Sequence, residues 1–147
     1  MTMRGRTDSH WSVVLDAPDA RSLSRFYLGL LGWTLGSDES DWVTIRPSDG
    51  HGYLAFQTNE GYRPPVWPAA PGDQQLQLHL DVAVDDLDAA VSDAVAAGAR
   101  LTEFQPQDDV RVLLDPAGHP FCLWLDAEPP VVAVGGDTDQ SATAEGS

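Results

Sequence analysis

The chain contains no lysine, a single cysteine and no long apolar run. Each absence removes a class of protein. Without lysine, all eight bases are arginines, set against 23 acids, and the formal charge is −15. A surface of that sign repels nucleic-acid phosphates and anionic lipid and leaves neutral or cationic molecules as the expected partners. One cysteine, Cys122, rules out an internal disulfide framework and fits a reducing compartment. No stretch approaches the ~18 apolar residues of a membrane span. The arginine-containing N-terminus lacks the apolar core of a signal peptide, so a cytoplasmic protein is expected. A chain of 147 residues can bury roughly 68–70% of its surface and needs no covalent staple.

What is present is organised around Gln75 to Asp86. Leu76, Leu78, Leu80, Val82 and Val84 alternate with Gln75, Gln77, His79, Asp81 and Ala83, the period of a strand. Asp86 can cap a helix whose stripe is Leu87, Ala90, Val91, Ala94 and Val95, ended by Gly98. That helix covers the aliphatic face. The opposite face carries an imidazole and a carboxylate and is the natural place for a site.

The same order of elements occurs earlier. Trp11 to Asp16 alternates as a strand, and Ala20 to Leu31 reads as a helix buried through Leu23, Phe26, Tyr27, Leu30 and Leu31, with Gly32 as its cap. Three short strands are expected at Trp33–Gly36, Trp42–Arg46 and Gly52–Gln57, and three more at Arg100–Phe104, Val110–Leu114 and Pro120–Leu125. Ser12 precedes Asp19 by the interval that separates His79 from Asp86, and Asp49–Phe56 matches Ala117–Trp124 at an offset of 68. The chain is thus a repeat, with modules at about 10–58 and 75–126, a proline-rich linker over 59–74 and an acidic tail over 127–147 expected to be disordered. Paired modules can curl their sheets around a shared cavity.

These residues resemble the vicinal oxygen chelate superfamily, which includes glyoxalase I, bleomycin-resistance proteins and extradiol dioxygenases. The likeness rests on Asp19, Phe26-Tyr27 and Leu30-Leu31-Gly32-Trp33 in the first half. In the second half it rests on His79-Leu80-Asp81-Val82, Asp85-Asp86-Leu87, Gly98-Ala99 and Asp115 to Phe121. It spans residues 10–126 and implies an α+β fold of two βαβββ modules forming a cupped mixed sheet with a shared concave pocket. It also implies, at low specificity, a homodimer. Fold alone does not fix the chemistry.

Metal-using members take ligands from the first and last strand of each module. Carried over, those positions are Ser12, Leu54, His79 and Cys122. Leu54 cannot ligate, Ser12 is a poor neutral ligand, and Cys122 replaces an expected carboxylate. A catalytic divalent site needs about three protein ligands and an open position. The resemblance therefore implies a cofactor-free protein, with a divalent metal as the minority reading. His79 is the candidate catalytic or ligand-contacting residue. Asp81, Ser12 and Cys122 accompany it, Cys122 as a buried inert thiol. Trp42, Tyr53, Phe56, Trp67 and Trp124 are aromatic pocket candidates, with Tyr62 at the rim, while Trp11 and Trp33 are expected in the core. The leading functional reading is a metal-independent cup for a hydrophobic or aromatic small molecule, as in the resistance branch. The alternatives are an isomerase, lyase or dioxygenase using His79, with or without a metal, and a dimeric interaction protein without chemistry.

Overall fold

A computed structural model describes residues 11–126. The expected tail at 127–147 lies outside the described residues. Element order is β1 (Trp11–Ala17), α1 (Ala20–Leu31), β2 (Thr34–Asp38), β3 (Trp42–Arg46), β4 (Gly52–Thr58), β5 (Leu80–Val84), α2 (Leu87–Ala96), β6 (Arg100–Leu101), β7 (Val110–Leu114) and β8 (Pro120–Leu125). This is βαβββ twice. The sheets run β1-β4-β3-β2 and β5-β8-β7-β6, with β1 parallel to β4 and β5 parallel to β8. No helix of the described residues is long and apolar enough to cross a membrane.

Local chemistry sets the helix bounds. The Asp19 side chain accepts from the Arg21 amide at 3.1 Å and the Ser22 hydroxyl at 2.6 Å, supplying orphan donors of the first turn with a partner. The Ser22 bond is the main reason its carboxyl titrates below the ordinary value. Gly32 ends α1 at φ 64, a left-handed conformation that glycine adopts without steric cost. Asp86 caps α2 by accepting from the Ala89 amide at 3.0 Å.

Both helices cover one side of the sheets. Register partners Leu15 and Phe56, with Val43 and Ile45 alongside, face α1 and are buried. In the second module Phe121 and Leu123 are buried in the same way, with Leu80 and Val82 partly buried beside them. The two cores are continuous through aromatic rings. Tyr27 of α1 stacks on Phe56 at 5.7 Å and meets Phe121 of β8 edge-on at 6.2 Å, while Phe26 meets Phe121 at 5.8 Å. A polar bond runs beside these rings. Asp115, 1% exposed, accepts the Tyr27 hydroxyl at 2.8 Å, the amides of Ala117 and His119 at 2.9 and 3.0 Å, and His119 Nδ1 at 2.8 Å. Burial first, and the Asp115 charge second, hold the Tyr27 hydroxyl well above the ordinary phenol value.

Several expectations are corrected. The alternating stretch from Gln75 forms ladder pairs only from Leu80 onward; before it, the sole pairing is an isolated bridge between Val66 and Gln75. Strand β6 is two residues long because Thr102 and Gln105 turn the chain by bonding to each other and to Val112. Trp11 lies at the strand end with its ring against Gly52, and is 52% exposed rather than in the core.

Replacing Tyr27 by Phe keeps the ring packing and removes one donor from a buried carboxylate. A loss of about 1–3 kcal/mol is expected in urea denaturation, the cost of under-satisfying such a group. An unchanged midpoint would mean that Asp115 does not depend on this bond.

Candidate ligand cleft

The open face of the second sheet carries the side chains that alternate with the core. Register sets Asp81 beside Cys122 and Cys122 beside Val112; one pleat along, Ala83 lies beside Trp124 and Trp124 beside Val110. His79 stands just before β5. Pro106, Gln107 and Asp109, ahead of β7, add a rim. Together with Trp67 from the linker, these residues enclose a cleft of about 560 Å³.

The linker is fastened to the second module near its start. The Tyr62 hydroxyl donates to the Ala117 carbonyl at 2.8 Å, and its ring lies 5.1 Å from that of His119. Burial, reinforced by Asp115 and Asp16, holds this phenol above the ordinary range. Further on, the Val66 amide donates to the Gln74 carbonyl at 2.8 Å. Between these points Trp67 stacks on His79 at 4.9 Å and 25°, and meets Phe104 edge-on at 5.6 Å. The linker is thus a strap laid over one end of the cup, and an indole is its contribution.

At the floor, His79 Nε2 lies 3.1 Å from Asp81 Oδ1. The carboxylate is an acceptor, so this nitrogen is the donor. Burial and the adjacent Asp81, with which the thiol hydrogen bonds, push Cys122 up to about 11, so it stays protonated near neutrality. The donor atoms of His79, Asp81 and Cys122 all lie within 4.8 Å of one another.

His79, Asp81, Trp67, Cys122 and Trp124 are therefore neighbours around one space. Other expected site residues lie elsewhere. Ser12 pairs with Tyr53 on the open face of the first sheet, where the Arg46 guanidinium sits 5.5 Å from the Tyr53 ring centre. Trp42 pairs with Gln57 on that same face. None of these lines the cleft. Phe56 faces α1, is 0% exposed and belongs to the core.

Leu54 also faces α1, and here the repeat alignment is corrected by one residue. Val14 pairs with Ala55 as Asp81 pairs with Cys122, so Ala55 is the counterpart of Cys122 at an offset of 67. The left-handed turn glycines Gly50 and Gly118 stand 68 apart. The first module thus has one more residue between turn and strand, and matching the turns slips the strand by one, which reverses its faces. The corrected counterparts of His79, Asp81 and Cys122 are Ser12, Val14 and Ala55. Sequence reasoning did not single out Phe104, Gln107, Asp109, Val110 or Val112. The parity of β7 against Trp124 was the available signal for the two valines.

Gly118 is where the strap meets the turn, at φ 92, and a Cβ built there would lie 2.8 Å from Pro64 Cβ. Gly118→Ala is expected to lower stability by about 1–2 kcal/mol from backbone strain alone. It should also raise proteolytic cleavage within 62–74, because the strap must lift. Intact protection of the strap in that variant would refute the fastening.

A family model described as a glyoxalase-like domain matches residues 12–124. The anthracycline biosynthesis protein DnrV of Streptomyces peucetius is 30% identical over 122 residues, covering 75% of this chain and 44% of that protein. The chain thus spans less than half the length of this curated relative. Among solved structures, a glyoxalase/bleomycin resistance protein/dioxygenase family enzyme from Burkholderia phytofirmans PsJN superposes with a TM-score of 0.60 at 20% identity, over 78% of this chain and 95% of that one. TnmS3, an antibiotic binding protein from Streptomyces sp. CB03234, superposes at 0.55 and 17% identity, over 86% and 100%. At these identities the superpositions speak to the fold.

Proposed function

The chain belongs to the glyoxalase-like domain family, and from that premise we propose that it is a binding protein whose second-module cleft takes up a flat hydrophobic or aromatic small molecule. The observation that carries this reading is the placement of Trp67 and Trp124 around one space with the apolar Val110 and Val112. Binding pockets combine such apolar walls with a few polar groups that fix orientation, and His79 and Asp81 are those groups. The relatives support the same class. TnmS3 is named for antibiotic binding and DnrV for anthracycline biosynthesis.

The test is a fluorescence titration with a planar polycyclic quinone of the anthracycline type. Saturable quenching of tryptophan is expected. Trp67→Ala and Trp124→Ala should each weaken binding by about 0.5–1.5 kcal/mol, the worth of one aromatic pair beyond area burial. His79→Ala should cost about 0.5–1.5 kcal/mol, one hydrogen bond. Binding untouched by both tryptophan variants would remove the cleft from consideration.

An enzyme with a divalent ion is the second reading, favoured by the closeness of the His79, Asp81 and Cys122 donors. Their chemistry fits it poorly. An imidazole and a sulfur ligand suit a soft ion rather than Mg²⁺ or Mn²⁺, and Asp81 is the one hard oxygen ligand among the three. The first module offers only the Ser12 hydroxyl at the corresponding positions, Val14 and Ala55 having no ligand atom. Prolonged chelation is accordingly expected to leave quinone binding unchanged and to release substoichiometric metal by mass spectrometry. An equimolar ion whose removal abolishes binding would install the enzyme reading instead.

A further inference from the structure

We propose that the cleft selects cations: its ligand is a planar aromatic carrying a protonated amine or a cationic ring, recognised by Asp81 at the floor and Asp109 at the rim. This rests on the binding reading above and names the ligand class it leaves open.

The argument is one of charge inside a specific space. Asp81 and Asp109 both line the cleft, and no arginine does. The chain has no lysine to lend. The nearest base in sequence, Arg111, stands between Val110 and Val112 and so starts from the opposite face. Its Nη1 donates to the carbonyls of Gln107, Asp108 and Val110 at 3.3, 2.9 and 2.8 Å, which holds the charge at the loop. His79 engages Asp81 by a single bond, which leaves carboxylate lone pairs free for a second donor. Cys122 is a neutral thiol.

The walls add to the same preference. An indole face attracts cations more strongly than any other aromatic side chain. One face of Trp67 is taken by His79, but Trp124 has no ring partner among the described residues. A cationic aromatic would meet an indole and a carboxylate together. An anionic ligand would face two carboxylates, and no arginine lines the cleft. The net charge of −15 further raises the local concentration of cations around the molecule.

Three probes of similar shape and different charge test this on the full chain: proflavine, a cation; anthracene methanol, neutral; and anthracene carboxylate, an anion. Calorimetric titrations are run at about pH 8, above the ordinary imidazole value near ~6.5. Proflavine should bind about ten times more tightly than the neutral probe, and the carboxylate more weakly than either. Raising salt from about 0.01 to about 1 M, which shortens the screening length from ~30 to ~3 Å, should erase most of that ratio. Asp81→Asn should reduce the ratio severalfold, weakening proflavine far more than the neutral probe, and Asp109→Asn should do so to a smaller degree. Asp81 is exposed and outside the core, and the Asp109 variant gives an independent reading at the rim. Equal affinities for the cationic and neutral probes would overturn the cation preference while the binding function stands. Failure of all three to bind would overturn both.

Discussion

The structure depends on one buried carboxylate. Asp115 belongs to the turn between β7 and β8, yet its strongest outside partner is Tyr27 of α1, in the other module. Left alone, a carboxylate at 1% exposure would cost several kcal/mol in desolvation. Its four hydrogen bonds make burial tolerable, and each of them fixes something. The amides of Ala117 and His119 set the turn. The Tyr27 hydroxyl registers α1 against β8. His119 presents its ring to Tyr62, and the Tyr62 hydroxyl returns to the same turn at Ala117. One acid thereby ties both modules and the strap, and the strap carries Trp67.

That arrangement separates the two faces of the sheets. All the large core rings, Phe26, Tyr27, Phe56 and Phe121, lie on the helix side. Stability is therefore concentrated away from the cup, and the open face is free to vary in chemistry. The two modules have used this freedom differently. At equivalent positions the first shows Ser12, Val14 and Ala55, and the second His79, Asp81 and Cys122. A repeat that is symmetric in backbone is asymmetric in side-chain chemistry, because register constrains only which face a residue takes.

Much of the fold was legible because its signals are local. The span Ala20–Leu31 was set by Asp19, the apolar stripe and Gly32, and the helix has those bounds. Strands β3, β7 and β8 were set by alternation between turn residues. The misjudged stretches are those where tertiary partners decide. Residues 75–78 alternate like a strand but have the strap, not a ladder, beside them. Trp11 has the parity of a core residue but lies at the strand end against Gly52. In the site, the grouping of His79, Asp81 and Cys122 follows from parity within one module. Trp67 joins them through a fastening no local pattern announces, and Leu54 was misplaced by a single residue of turn length.

The polar floor of the cleft is best understood by counting its bonds. A carboxylate offers about four lone-pair sites. Asp81 gives one to His79 and one to the Cys122 thiol. Asp81 thus sits against both neighbours, and the Cys122 thiol stays protonated. What the trio still presents to the cleft is acceptor capacity on Asp81, backed by a second carboxylate at Asp109 and flanked by Trp124. A floor rich in acceptors and poor in free donors does little for an oxyanion, whose stabilisation requires donors aimed at developing charge. It suits a guest that brings its own donors. The three side chains that lie close enough for a metal centre thus also leave acceptor capacity facing the cleft, and the indoles around them give the proposed recognition a flat aromatic shape.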